Sequence, residues 1–151
     1  MRKSTPLFAL LFVLSLTTNL YASPVDTDEL SVAEFNQTAL TFAAKDQWQG
    51  FSENLTVALK SDHDGLKVAA MGMVIRFGNK VDVQNAVFDV MRIYQDHPNE
   101  KMRRMALVAL GQMESGWAIG FLERAQHFED SPVLKQTIQA VINDYHATHA
   151  G

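Results

Sequence analysis

Three segments of this chain share one spacing of residue types, and that spacing limits what the chain can fold into. Asp64 to Ile75 reads DGLKVAAMGMVI, Asn99 to Gly111 reads NEKMRRMALVALG, and Ser131 to Ile142 reads SPVLKQTIQAVI. Each holds an apolar residue followed at once by a cation, then a core residue after two spacers, then two core residues after two more. The copies are Leu66-Lys67, Ala70, Met73-Val74; Met102-Arg103, Ala106, Ala109-Leu110; and Leu134-Lys135, Ile138, Val141-Ile142. Apolar residues at i, i+4, i+7 and i+8 form one face of an α-helix. Met102 follows Leu66 by 36 positions, and Leu134 follows Met102 by 32. A helix with one apolar stripe must bury it against neighbours, and a period of this size built from helix pairs predicts a stack of such pairs.

The intervening segments supply the partners. Val83, Val87, Val90, Met91 and Tyr94 predict a helix between the first two copies. Ser115 is placed to cap another, with Ala118, Phe121, Leu122, Ala125 and Phe128 on one face. Upstream, Phe35, Ala39, Phe42 and Ala43, then Phe51, Leu55, Ala58 and Leu59, repeat the helical spacing. Gly78-Asn79 and Gly111 read as helix ends, Asn99 or Pro98 as one helix start, and Glu129-Asp130-Ser131-Pro132 as another, a cap followed by proline. No segment alternates with the period of a strand.

The repeat resembles the short bacterial HEAT-like repeats. Their pattern is an acidic residue, an aliphatic–basic pair, two spacers, alanine, and an Ala-Leu-Gly ending. Glu100, Met102, Arg103, Ala106, Ala109, Leu110 and Gly111 match it closely. The first copy keeps Asp64, Lys67 and Ala70 without the glycine, and the third has Ile138 for alanine and Pro132 at the acidic position. A degenerate last copy fits a capping repeat. The resemblance implies an all-α fold, a short right-handed α–α superhelix of about three helix pairs. It spans roughly residues 50–146, within a helical repeat domain over 30–146 that a tail of residues 147–151 follows.

The N-terminus has a different purpose. Met1, Arg2 and Lys3 precede the apolar run Leu7 to Leu16, and Ala22 is a small residue placed for cleavage. This is a secretory signal over residues 1–22, with a leader over 23–29. The apolar run is shorter than the roughly 20 residues a spanning helix needs, so stable membrane insertion after cleavage is not expected. Cleavage removes two cations and no acid, taking the net charge from −4 to −6 over the remaining 129 residues. Nucleic-acid binding favours the opposite sign. The chain has no cysteine, so a disulfide framework, a lipid-bearing cysteine and a thiol nucleophile are all excluded. Export without disulfides points to a bacterial periplasmic or secreted protein. The sequons at Asn36 and Asn54 fall in predicted helices and are read as chance.

No HExxH, GxSxG, phosphate-binding or dinucleotide-binding motif is present. The expectation is a non-enzymatic module without a cofactor that binds a protein or peptide. The resemblance implies that Lys67, Arg103 and Lys135, which share one slot, meet acidic residues of adjacent repeats. They remain candidates for partner binding beside Arg104, which is extra to the pattern. The alternative is a metal or small-ligand binder using His63 with Asp62 and Asp64, or His146 with His149. A turn cap and a polar tail are the plainer readings of those groups. Met73, Met91, Met102 and Met105 fall on core faces, so packing explains them better than copper does. Trp48, Tyr94 and Trp117 would anchor a partner if exposed and fill the core if buried.

Overall fold

A computed structural model of the chain describes residues 27–150, so the expected signal segment lies outside the described residues. Every regular element there is helical: α1 (Thr27–Ala44), α2 (Trp48–Lys60), α3 (Asp64–Phe77), α4 (Val87–Asp96), α5 (Glu100–Gln112), α6 (Gly116–Ala125) and α7 (Pro132–His149). Two short 3-10 turns, Gly78–Lys80 and Gln84–Ala86, join α3 to α4.

Caps explain four of the boundaries. The Asn99 Oδ1 accepts from the Lys101 amide at 2.9 Å, and the Ser131 Oγ accepts from the Leu134 amide at 3.3 Å. The Ser115 Oγ accepts from the Ala118 amide at 3.4 Å. Each satisfies a helix-terminal N–H that has no partner within its helix. Gly78 ends α3 at φ 42°, a left-handed conformation that suits glycine.

Several boundaries differ from the sequence expectation. α4 begins at Val87, not Val83. The Asp82 amide donates to the buried Ser52 Oγ of α2 at 2.9 Å, and the Asp82 carboxylate accepts from the Gln84 amide at 3.2 Å. Those bonds hold the chain in a turn before the helix starts. Gly111 does not stop α5, which continues to Gln112. A Cβ at Gly111 would lie 3.0 Å from the Val141 Cγ1, so the glycine permits close approach of α7. α6 ends at Ala125, which leaves Phe128 outside the helix and 85% exposed instead of on its buried face. α1 starts at Thr27, inside the expected leader, and α7 runs past position 146 to His149.

The three repeat helices are neighbours. α3 packs on α5, α5 on α7, and α1 on α3. The partner helices back them in pairs: α2 on α3, α4 on α5, and α6 on α7. α5 and α7 run parallel. Near their starts the Ser131 Oγ donates to the Glu100 Oε2 at 2.8 Å, and Gly111 near the end of α5 meets Val141 at the middle of α7. The sequon asparagines Asn36 and Asn54 lie within α1 and α2.

One repeat position differs in α7. Met71 and Leu107, equivalent by the repeat, have no exposed surface. Burying such a side chain contributes about 2 kcal/mol. The third equivalent is Gln139, which is exposed. Its Oε1 accepts from the Gln126 Nε2 at 2.7 Å and its Nε2 donates to the Asn143 Oδ1 at 2.9 Å. Leu107→Ala is therefore expected to cost about 2–4 kcal/mol, and Gln139→Ala under about 0.5 kcal/mol. Urea unfolding of the two variants checks this, and equal losses would remove the equivalence.

Candidate protein-binding interface

Arg103 is held within the protein. Its Nε donates to the Tyr94 carbonyl at 2.7 Å, its guanidinium donates to the Glu129 Oε2 at 2.9 Å, and its plane lies 5.6 Å from the Tyr94 ring centroid. The Glu129 side chain is only 5% exposed. It also accepts from the Tyr94 hydroxyl at 2.9 Å and from the Ser131 amide at 3.1 Å. Burial pushes the Tyr94 phenol well above its ordinary range, and the Glu129 carboxylate beside it adds to the shift. A buried carboxylate with these three donors is satisfied and ties the α6–α7 connection to α4 and α5.

Lys67 occupies the same repeat slot with a different partner. The position two residues before the helix cap is His97 ahead of α5 and Glu129 ahead of α7. With histidine there, an acid takes the bond: the His97 Nε2 meets the Asp64 carboxylate at 3.0 Å. The Asn99 amide donates to the His97 Nδ1 at 3.1 Å, which leaves the Nε2 to carry the proton toward Asp64. Lys67 then pairs with Asp64 on its own helix at 3.5 Å. The hydrogen bond from His97 holds the Asp64 carboxyl below its ordinary range against the opposing effect of desolvation, and Lys67 beside it adds to the lowering. Lys135, the third cation, is exposed on α7.

Arg104 points elsewhere. It is exposed and lines a groove of about 540 Å³ between α5 and α7, whose floor includes Val108, Ala140 and Val141. Asp144 lines the same groove.

The metal-ligand candidates are not gathered. Asp64 is engaged by His97 and Lys67, His146 meets the Glu123 carboxylate at 2.9 Å, and the His149 Nδ1 meets the Tyr145 carbonyl at 2.9 Å. Among the described residues no three His, Asp or Glu side chains are placed to hold one cation. Asp62 lines a small cleft of about 230 Å³ with Lys60, Lys67, Arg92 and Asp96, in which both signs of charge are mixed.

The aromatic residues separate into two groups. Trp48 packs with Phe51 and Phe77, its ring centroid 6.0 and 5.8 Å from theirs, and Tyr94 is buried. Trp117, at the start of α6, is 52% exposed, and Phe88, at the start of α4, is 63% exposed. Their ring centroids lie 4.6 Å apart, and the Trp117 ring stacks over Phe121 at 6.4 Å. Phe121 also lines a groove with Arg124 and the exposed Phe128. Sequence reasoning singled out Trp117 and missed Phe88. The signal was present, because Phe88 falls off the stripe of Val87, Val90, Met91 and Tyr94.

Compared with known proteins, the chain matches no family model, no curated protein and no solved structure.

Proposed function

We propose that this chain is an exported, non-enzymatic binding module of the bacterial periplasm or exterior. Its helix pairs form a short right-handed superhelix of the HEAT-like kind, and its partner is a protein or peptide. The succession of contacts from α1 through α3 and α5 to α7, backed by α2, α4 and α6, supports the superhelix. The polar Gln139 in place of Met71 and Leu107 supports an end cap, since terminal repeats carry a polar outer face.

The observation that carries the binding role is the exposed Phe88–Trp117 contact. Large apolar side chains in contact with each other and with water mark interaction sites more often than chance exposure does. Tryptophan and other aromatic residues also dominate the energetics of protein interfaces. Neither ring holds up the core, which is built from other residues. The Phe88→Ala/Trp117→Ala double variant should therefore melt within a few degrees of the parent, as surface changes do. It should bind its partner at least about 30-fold more weakly, the effect of losing one interface hot spot. The measurement is a crosslinking pull-down from the exported fraction with parent and double variant as paired baits. A partner captured equally by both would overturn the role of this surface.

A further inference from the structure

The groove between α5 and α7 is polarised along its length. Arg104 lies at one end and Asp144 at the other, each eight residues from its neighbour across the apolar middle: Arg104 from Gln112 on α5, and Asp144 from Gln136 on α7. Because the helices are parallel, Gln136 stands beside Arg104 and Gln112 beside Asp144. Eight helical residues span about 12 Å. Val108 and Ala140 sit midway on the two walls. Among the described residues neither the Arg104 guanidinium nor the Asp144 carboxylate enters an ion pair or a side-chain hydrogen bond; only the Asp144 carbonyl is used, by Thr148. The aligned dipoles of the two helices point the same way as the side-chain charges, positive toward Arg104 and negative toward Asp144.

We propose that this groove holds an extended peptide segment with an acidic side chain at one position, a small apolar one two residues away, and a basic one four residues away. Side chains at i, i+2 and i+4 of an extended chain share a face. Four residues of extended chain cover about 13 Å, close to the offset of about 12 Å between the two charged ends along the groove. The acid meets Arg104, the apolar residue rests on Val108 and Ala140, and the base meets Asp144. The inference rests on the reading of the chain as a protein-binding module and names the chemistry of one segment it takes. The site is separate from the Phe88–Trp117 surface.

Three capped, fluorescein-labelled pentapeptides test it by anisotropy with the purified protein: Asp-Ser-Val-Ser-Lys, Lys-Ser-Val-Ser-Lys and Asp-Ser-Val-Ser-Asp. The parent should prefer the first by about tenfold, as expected for one attractive contact becoming repulsive. Arg104→Glu should shift the preference to the Lys/Lys peptide, and Asp144→Lys to the Asp/Asp peptide. Both residues are exposed, so circular dichroism should show both variants folded. No saturable binding of any peptide by the parent, or one order of affinity in all three proteins, would overturn the inference. If the Phe88→Ala/Trp117→Ala pair loses a captured partner while the peptides fail, the inference falls and the binding-module reading stands.

Discussion

Ala106→Arg should abolish the cooperative melting transition. Ala106 has no exposed surface, and α5 is packed by α3, α4 and α7. The small side chain lets these helices approach closely. An arginine there adds a long stem to a filled space, costing about 1–3 kcal/mol. It also brings a charge that finds no partner, costing several kcal/mol more. The sum reaches the range of a whole domain's stability, about 5–15 kcal/mol. Thermal melting followed by circular dichroism checks the expectation, with Arg104→Ala as the folded control. An unaltered melting curve for Ala106→Arg would show that the register assigned to α5 is wrong.

The second large effect separates two adjacent arginines. Arg103→Leu strands the Glu129 carboxylate, which is almost wholly buried, and frees the Tyr94 carbonyl. Removing one partner of such a pair costs about 3–5 kcal/mol. Arg103 is 26% exposed, so some water reaches its end of the pair and the lower figure, about 3 kcal/mol, is the better expectation. Arg104→Leu should change stability by under about 0.5 kcal/mol. Urea unfolding of both gives the comparison directly. Equal losses would mean that the Glu129 network contributes nothing particular at Arg103.

The difference between those neighbours shows what the sequence could and could not convey. Periodicity placed Met102, Met105, Ala106, Ala109 and Leu110 on the buried face; Met105 is half-buried and the other four are buried. Local chemistry also marked Asn99, Ser115 and Ser131 as helix starts, because a cap acts within three residues of itself. The shared slot of Lys67 and Arg103 was legible as a repeat feature. That Glu129 would answer Arg103 was not, since the two lie 26 residues apart and meet only when α6 folds back on α5. Val83 was misread because it continues the helical spacing of Val87, Val90, Met91 and Tyr94, while a bond from the Asp82 amide to Ser52, 30 residues upstream, holds the chain out of the helix. Gly111 was misread because a glycine after an apolar stripe serves either as a stop or as room for a neighbour. Phe128 was extended onto a helical face beyond the point where the helix ended. In the groove, Arg104 stood out as surplus to the repeat, but that Asp144 lines the same groove required α5 and α7 to be seen as parallel neighbours.

In the proposed superhelix, the polar face of α7 fixes the direction in which the fold can lengthen. A duplicated helix pair inserted ahead of α7 would meet apolar stripes on both sides, like those of α3 and α5. The same pair appended after α7 would have to press its stripe against Gln139 and Asn143, where the Gln139 Nε2 already donates to the Asn143 Oδ1. It would break that bond and gain no apolar contact in return. Growth of the fold is thus permitted by internal duplication and opposed by addition beyond α7, an asymmetry set by two amide side chains.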